Sequence, residues 1–312
     1  MQPNNLSLPQ KALYYLVFGL WYAFAKLPAC IHYLNSTLLS VLLFHVVRYR
    51  RRLVHQNIRD SFPELSHSQR YAMERRFYLH FCDILVESVM FFGFSEREMR
   101  RRMQFKGAEL LNESARRGKT CAVYLGHYAN WEWVSSIPLW LDPDVVKAVQ
   151  LYHPLENPVF DLIIGYTRQR FGGTNIPVNE SLRHIVRYRR EGKPLAIGFI
   201  ADQVPMWNNI HHWVPFLNHP DTPVFTGPER LIRQLDMDVY YLDVRQLRRG
   251  YYTAEVCPMT TNQSQHPDHW ITEQYNRLLE QTIRTAPALW LWSHNRWKRT
   301  KAEWLKRKAA KK

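Results

Sequence analysis

Short apolar runs alternate with polar stretches of helix length from residue 121 onwards. Apolar runs of this length predict buried strands, and the stretches between them predict helices. The strands are expected near 121–125, 146–151, 195–200, 239–245 and 251–256, and the helices near 131–140, 158–171, 180–191, 226–236 and 268–285. Residues 248–250, Arg-Arg-Gly, lie between the last two strands and predict a hairpin. The pattern therefore predicts an α/β fold with a mixed sheet flanked by helices.

The region before this alternation has helical periodicity instead. Ser66 is a candidate helix cap. Large apolar residues follow it three and four positions apart, namely Phe77, Phe81, Ile84, Leu85, Val89 and Phe92. Residues 48–105 are therefore predicted to form a helical layer, and residues 106–312 the α/β region.

Residues 1–47 have the composition of a membrane anchor. From Ala12 to Val47 the chain has no acidic residue and only one lysine, Lys26. Lys26 and Pro28 interrupt the apolar sequence, so neither apolar run reaches the roughly 20 residues of an unbroken spanning helix. A tilted or kinked span, a re-entrant pair of helices and a helix in the membrane interface all remain open.

A basic cluster, Arg48–Arg52, follows this segment directly and is typical of the cytoplasmic side of a membrane segment. The region after this cluster is therefore expected on the cytoplasmic side of a membrane. The whole chain has 42 Lys and Arg against 27 Asp and Glu, a net charge of +15. Its surface should bind acidic partners: nucleic acid, anionic lipid headgroups, phosphorylated sugars or an acidic carrier protein.

Several kinds of site and partner lack support in the sequence. The four cysteines lie far apart and form no CxxC pair, so neither a zinc site nor a disulfide framework is expected. No RNA-binding signature is present, and most tryptophans lie in apolar contexts, which disfavours nucleic acid. No metal and no cofactor are expected.

The strand predicted at 121–125 ends at a glycine and delivers His127 five residues before Glu132. In a chain of this composition, chance alone gives about one pair of a histidine and an acidic residue at this spacing. His55 and Asp60 indeed form a second such pair. The setting distinguishes the first pair, because an apolar strand, a glycine and a helix cap surround it.

The residues after His127 favour a catalytic interpretation over a buried structural histidine. Asn130 is a good cap for the helix predicted to follow, which places Glu132 in the first turn, at the positive end of the helix dipole. An ionised Glu132 is expected to orient the imidazole, so that His127 acts as a general base. Asp202 also follows an apolar strand and is expected at the same edge of the sheet.

Residues 125–132, Leu-Gly-His-Tyr-Ala-Asn-Trp-Glu, resemble the first motif of the late acyltransferases of lipid A biosynthesis, a branch of the lysophospholipid acyltransferase superfamily. Glutamate at the end of the motif is typical of that branch. Further segments extend the resemblance over most of the chain: 57–64, 157–161 with Arg168 and Arg170, 197–203, 213–216, 226–228 and 290–298. His55 and Asp60 belong to the upstream helical segment, so they are not expected to form a rival site.

The resemblance implies a glycerolipid acyltransferase-like fold and a membrane-associated acyltransferase. The implied site residues are His127 and Glu132 as the catalytic pair, and Arg168, Asp202 and Asn130 as substrate-binding residues. The implied reaction transfers a fatty acyl chain from an acyl thioester, on acyl carrier protein or coenzyme A, to a hydroxyl of a lipid A precursor. No covalent intermediate is needed, and backbone amides at 126–131 are candidate donors to the oxyanion.

Acceptor recognition stays open, because Gln203 and the Leu-Tyr-His-Pro sequence at 151–154 depart from the family pattern. One alternative is the same chemistry on an aminolipid, another glycolipid or a lysophospholipid. The other is a non-enzymatic basic protein that binds nucleic acid or anionic membranes. Cys121 begins a predicted buried strand and is a poor nucleophile candidate.

Overall fold

A mixed sheet forms the centre of the fold, for which a computed structural model describes residues 6–310. The strands are β1 Met103–Lys106, β2 Cys121–Leu125, β3 Lys147–Tyr152, β4 Thr174–Pro177, β5 Leu195–Ile200, β6 His212–Phe216, β7 His219–Val224, β8 Asp238–Arg248 and β9 Tyr251–Thr260. The large sheet has the order β1-β9-β8-β2-β5-β3-β4. Strands β8 and β9 are antiparallel, and the other neighbours in this sheet are parallel. The predicted mixed sheet is confirmed.

Helices flank the sheet. They are α1 Leu8–Ala25, α2 Ala29–Val41, α3 Arg51–Ser61, α4 His67–Gly93, α5 Glu96–Arg102, α6 Glu109–Arg116, α7 Pro158–Gln169, α8 Ser181–Arg190, α9 Gly227–Leu235, α10 Trp270–Thr285 and α11 Lys301–Ala309. The five strands predicted from the apolar runs and four of the five helices predicted between them are present, each within a few residues of its expected ends.

The sequence missed the shortest strands. Strands β1 and β4 have four residues each and lie at the two edges of the sheet. The hairpin of β6 and β7 forms a separate two-stranded sheet, and both of its strands contain proline. Proline removes a backbone donor and interrupts an apolar run, so these segments lack the pattern of a buried strand.

The helix predicted at 131–140 is not α-helical. The chain forms a 3₁₀ helix over Trp133–Trp140, with Pro138 inside it. Proline cannot donate the i→i−4 hydrogen bond, and its ring clashes with the preceding turn. Glu132 therefore precedes a tight 3₁₀ helix instead of lying in the first turn of an α-helix, which changes the direction of its side chain.

Helix α4 is the main element of the predicted helical layer, and it begins where the sequence indicated. Ser66 accepts a hydrogen bond from the backbone N–H of Gln69 at 3.3 Å, and the Gln69 side chain accepts from the backbone N–H of Ser66 at 2.8 Å. This capping box stabilises the start of a 27-residue helix. Its buried face includes Phe77, Phe91 and Phe92.

The N-terminal apolar segment forms two helices, because the break predicted around Lys26 and Pro28 separates α1 from α2. Helix α2 continues into a π-helical turn over Leu42–Val46. By length and composition, Ala29–Val46 is the one helix within residues 6–310 that could cross a membrane, with a mean hydropathy of 1.4.

The carboxyl end of β2 is fixed from the α10 side of the sheet. Every residue of β2 is buried. The hydroxyl of Tyr275 on α10 donates to the backbone carbonyl of Leu125 at 2.9 Å, and the Tyr275 ring stacks on Tyr124 with ring centroids 4.7 Å apart. These contacts fix the position at which the chain leaves the sheet after Leu125.

Candidate active site

His127 and Asp202 meet because their strands are neighbours. Strands β2 and β5 are parallel, and Leu125 pairs with Ile200 at their last residues. His127 and Asp202 each lie two residues beyond this pair, so they emerge side by side at the carboxyl edge of the sheet. Sites of α/β proteins lie at this edge, as the sequence predicted for these two residues.

Asp202 contacts His127 twice. The imidazole Nδ1 of His127 lies 2.6 Å from Asp202 Oδ1, and the backbone N–H of His127 donates to Oδ2 at 2.8 Å. The indole N–H of Trp290 donates to the same Oδ2 at 2.8 Å. Asp202 is buried, so these donors compensate the cost of withdrawing its charge from water.

The pKa values of the two groups move apart. Burial by itself raises the pKa of Asp202, but the charge and hydrogen bonds of His127 and Trp290 outweigh burial and bring it to about 2. Burial lowers the pKa of His127, but the Asp202 carboxylate, and more weakly Glu132, raise it above its ordinary value of 6.5. A carboxylate that stays ionised beside an imidazole of raised basicity is the arrangement that a general base needs.

The second imidazole nitrogen of His127 faces the substrate side. The His127 side chain is 19% exposed, whereas that of Asp202 is 2% exposed. With Nδ1 bound to Asp202, Nε2 is the nitrogen that can accept a proton. The amide nitrogen of Gln203 lies 3.3 Å from Nε2.

Glu132 does not make the hydrogen bond to His127 that was expected of it. Glu132 forms a bidentate ion pair with Arg168, with Oε1 2.7 Å from Nη2 and Oε2 3.0 Å from Nε. The carboxylate that contacts the imidazole is that of Asp202, which was expected to bind substrate. Glu132 still acts on His127 through its charge, but its hydrogen bonds hold the arginine.

Arg168 and Arg170, the two arginines that follow the segment 157–161, have different contacts. Arg168, near the end of α7, is drawn to the site by Glu132 and is 27% exposed. Arg170 donates to the backbone carbonyls of Phe91, Phe92 and Phe94 and so caps the end of α4. Arg168 is therefore the one that can reach a substrate.

Asn130 does not face the substrate side in this structure. It is fully buried. Its side-chain oxygen accepts from the backbone N–H of Trp133 at 2.9 Å, which caps the 3₁₀ helix, and its amide donates to Glu87 Oε2 at 2.6 Å. The predicted capping is confirmed, and both polar ends of the side chain are bound inside the protein, so substrate binding by Asn130 stays a prediction.

Glu87, on α4, supports the turn from behind and was not found from the sequence. It is fully buried and accepts hydrogen bonds from Asn130, the Tyr252 hydroxyl and the Tyr33 hydroxyl. Its backbone carbonyl also accepts from the indole of Trp133 at 3.0 Å. Burial, and then the charge of Asp83, raises the pKa of Glu87 to about 8. The available signal in the sequence was a glutamate within the apolar second half of this helix.

The C-terminal tryptophan motif closes over the turn that contains His127. The backbone carbonyl of His127 accepts from Leu291 at 3.1 Å, and the N–H of Ala129 donates to Leu289 at 3.0 Å. The N–H of His127 is bound to Asp202. The backbone N–H groups of His127 and Ala129 thus donate inside the protein, so neither of them is free to donate to an oxyanion as predicted.

Neither of the other candidates from the sequence forms a site. His55 and Asp60 do not pair, because His55 contacts Glu74 at 2.6 Å and Asp60 contacts Arg59. Cys121 is fully buried, and burial raises the pKa of its thiol to about 12. Within residues 6–310, no group of three or more histidine, cysteine or acidic side chains is arranged to hold a metal ion.

Gly126 has no room for a side chain. A Cβ at this position would lie 2.6 Å from Leu279 Cδ1 and 3.2 Å from Asp202 Oδ2. Leu279 can move, but displacement of Asp202 would disturb its contacts with His127. We expect Gly126→Ala to lower kcat/KM by about tenfold or more and to lower the free energy of unfolding by about 1–3 kcal/mol.

The matched control is Gly227→Ala at the start of α9, where a Cβ meets nothing within 4 Å. Acyl transfer and thermal unfolding are measured for both variants. Unchanged transfer in Gly126→Ala would contradict the tight placement of Asp202.

Comparison with known proteins gives one family and several distant relatives. The model of the bacterial lipid A biosynthesis acyltransferase family matches residues 2–299. A lipid A biosynthesis acyltransferase of Haemophilus influenzae is 21% identical over 155 residues, which cover 50% of this chain and 48% of that protein. A lipid A biosynthesis lauroyltransferase and a lipid A biosynthesis palmitoleoyltransferase of Escherichia coli are 20% and 21% identical, each over 93% of this chain and 92% of the relative.

Proposed function

Because this chain belongs to the bacterial lipid A biosynthesis acyltransferase family, we propose that it transfers a fatty acyl chain from an acyl thioester to a hydroxyl of a lipid A precursor, with His127 as the general base. The family makes it an acyltransferase. The observation that carries the mechanism is the contact of His127 with Asp202, which leaves Nε2 as the proton acceptor. A parallel-rich sheet with its site at the strand ends also supports a glycerolipid acyltransferase-like fold.

The proposed reaction is a direct transfer. His127 Nε2 removes the proton of the acceptor hydroxyl as the oxygen attacks the thioester carbonyl carbon. The tetrahedral intermediate collapses by breaking the carbon–sulfur bond, and the imidazolium returns the proton to the departing thiolate. Asp202 keeps Nδ1 protonated and stabilises the imidazolium, as the aspartate of a serine protease does for its histidine.

Arg168 is proposed to stabilise the oxyanion. Its guanidinium is close enough to lower the pKa of His127, as burial also does, and the carboxylates of Asp202 and Glu132 outweigh both effects. Glu132 binds two of its N–H groups, and an arginine has five donors in all, so others remain available to a substrate. The role of Glu132 in the His-Glu motif is then to position Arg168 beside the reacting carbonyl.

Membrane attachment is supported by the reversed polarity of α2. Its side toward the protein is polar, since His32, Ser36 and Ser40 are buried and Ser36 donates to Asp83. Its outer side is apolar and exposed, through Ile31, Leu34, Leu38, Val41, Leu42 and Val46. A helix in water has the opposite arrangement. We propose that this side contacts lipid, with the catalytic region at the cytoplasmic surface of the inner membrane.

The pH dependence of kcat/KM tests the contact between Asp202 and His127. Only neutral His127 can accept a proton, so activity should rise with pH through its raised pKa, above 6.5. Asp202→Asn removes the negative charge that raises this pKa. We expect a lower rate and an acid limb that moves to lower pH.

The control is Asp238→Asn, at the amino end of β8, where the carboxylate is buried against Ser114 and Arg117. Its acid limb should match that of the natural protein. An acid limb that stays in place in Asp202→Asn would contradict the proposed pairing.

The reaction itself is tested with the purified chain in detergent. Acyl carrier protein and coenzyme A thioesters are offered separately as donors, with a lipid A precursor as acceptor, and products are weighed by mass spectrometry. We expect one added acyl chain. Loss of the gene should remove one acyl chain from cellular lipid A. Unchanged lipid A with an altered minor lipid would instead identify another acceptor.

A further inference from the structure

The basic cluster after α2 forms a cavity of its own, separate from the carboxyl edge of the sheet. The arginine cavity, as we call it, has a volume of about 810 Å³. Four arginines line it together with Tyr71 and Glu74 of α4, namely Arg48, Arg50, Arg51 and Arg52. Volumes of 300–1,000 Å³ are typical of sites for small molecules and headgroups.

The charge of the arginine cavity is not neutralised by the protein. Within residues 6–310 none of its four arginines forms an ion pair with a carboxylate. The single carboxylate in its lining, Glu74, contacts His55 at 2.6 Å. Some exposed arginines elsewhere, such as Arg183 and Arg307, do have a carboxylate partner three or four residues away. The cavity is therefore an uncompensated cluster of positive charge.

Contacts with the protein hold two of the arginines in place. The guanidinium of Arg51 lies over the ring of Phe44, 4.2 Å from its centroid. That of Arg50 donates to the backbone carbonyl of Ser293 at 2.9 Å. These contacts use few of the five N–H donors on each guanidinium, so the remaining donors are held in place and can bind a ligand.

The position of the arginine cavity relates it to both the proposed lipid surface and the active site. It begins one residue after Val47, at the end of the exposed apolar side of α2. Arg50 contacts Ser293 in the same tryptophan motif whose Trp290 binds Asp202. If the exposed side of α2 contacts lipid as proposed, the cavity lies where the phosphates of the lipid headgroups begin, and Arg50 ties it to the segment that contacts Asp202.

We propose that the arginine cavity binds a phosphate group of a membrane lipid headgroup. A guanidinium matches two phosphate oxygens with two parallel N–H groups, and several guanidinium groups around one cavity suit a dianionic phosphate. The concave shape and the adjoining apolar helix favour a lipid over an acidic protein. The phosphate belongs either to the acyl acceptor or to a phospholipid of the bilayer. The acceptor choice rests on the proposed function, whereas the binding itself does not.

The test compares two charge-matched variants of the full chain in neutral detergent micelles. Arg48→Gln with Arg52→Gln removes two exposed charges from the cavity. Arg189→Gln with Arg190→Gln removes two exposed charges from the end of α8, which does not line the cavity. Phosphatidic acid in the micelles is the probe, diacylglycerol is the phosphate-free control, and binding is measured by titration and thermal shift.

We expect phosphatidic acid, but not diacylglycerol, to bind, with affinity at least about tenfold weaker in the cavity variant and unchanged in the α8 variant. Equal weakening in both variants, or unchanged affinity in the cavity variant, would overturn the proposal. The proposal would also be overturned if the cavity variant kept its lipid binding but no longer bound acyl carrier protein. A cavity variant with Lys at both positions controls for folding and should retain part of the binding.

Kinetics identifies the source of the phosphate. A raised KM of the cavity variant for a phosphorylated lipid A precursor, without a change for its dephosphorylated form, assigns the cavity to the acceptor. Unchanged KM values together with weakened phosphatidic acid binding assign it to bilayer phospholipid. Binding is read without turnover, so failure of the proposed reaction would leave this test intact.

Discussion

Replacement of His127 by alanine is expected to lower kcat/KM for acyl transfer by about 10³–10⁴, the upper range for loss of a general base. The alanine removes the proton acceptor and leaves Asp202 buried without the imidazole that lowers its pKa. Transfer is measured with the thioester donor and lipid acceptor in detergent, and thermal unfolding is followed in parallel.

A second substitution separates loss of chemistry from loss of fold. His127→Gln retains a side-chain N–H that can donate to Asp202 but cannot accept a proton at neutral pH, so we expect it to be stable and equally inactive. His184→Ala on α8, where the histidine contacts Glu180, is the control and should keep its activity. Substantial transfer by His127→Gln would overturn the role of His127 as the base.

Loss of Arg168 is the second large effect that we expect. Arg168→Met should lower kcat by about 10²–10³, the range for removal of one group that stabilises an oxyanion. Glu132→Gln should act through Arg168, because its two hydrogen bonds to that guanidinium are its polar contacts in the site. The double variant is therefore expected to be no less active than Arg168→Met alone.

The double-mutant cycle distinguishes this positioning role from the one expected from the sequence. If Glu132 oriented His127 independently of Arg168, the two losses would multiply. The control cycle uses the ion pair of Glu180 and Arg183, 2.8 Å apart at the start of α8, where activity should stay within about twofold. If the losses in the site pair multiply, Glu132 acts on His127 independently of Arg168, and the positioning role is overturned.

The site depends on a polar layer beneath it as much as on the residues that face substrate. Glu87 and Asn130 hold the turn that carries Glu132, and Trp290 holds Asp202. Each of these contacts joins segments more than 40 positions apart in the chain. They explain why the tryptophan motif near the C-terminus belongs to the same function as the histidine motif.

Local pattern was sufficient for much of the fold and part of the site. Apolar runs located the five longest strands of the large sheet, and Ser66 marked the start of α4. Gly126 after a buried strand was enough to single out His127, because a strand must end where its sequence stops being apolar. The family resemblance then indicated Arg168 over Arg170.

Only the tertiary structure decided which carboxylate serves His127. Sequence spacing favoured Glu132, five residues away, but Pro138 makes the following helix 3₁₀, and Glu132 contacts Arg168 instead. Asp202 reaches His127 because β2 and β5 are parallel neighbours in register. Packing over the whole chain sets the strand order, so a local sequence pattern cannot predict it. The sequence thus singled out the histidine, and the order of strands in the sheet determined which carboxylate contacts it.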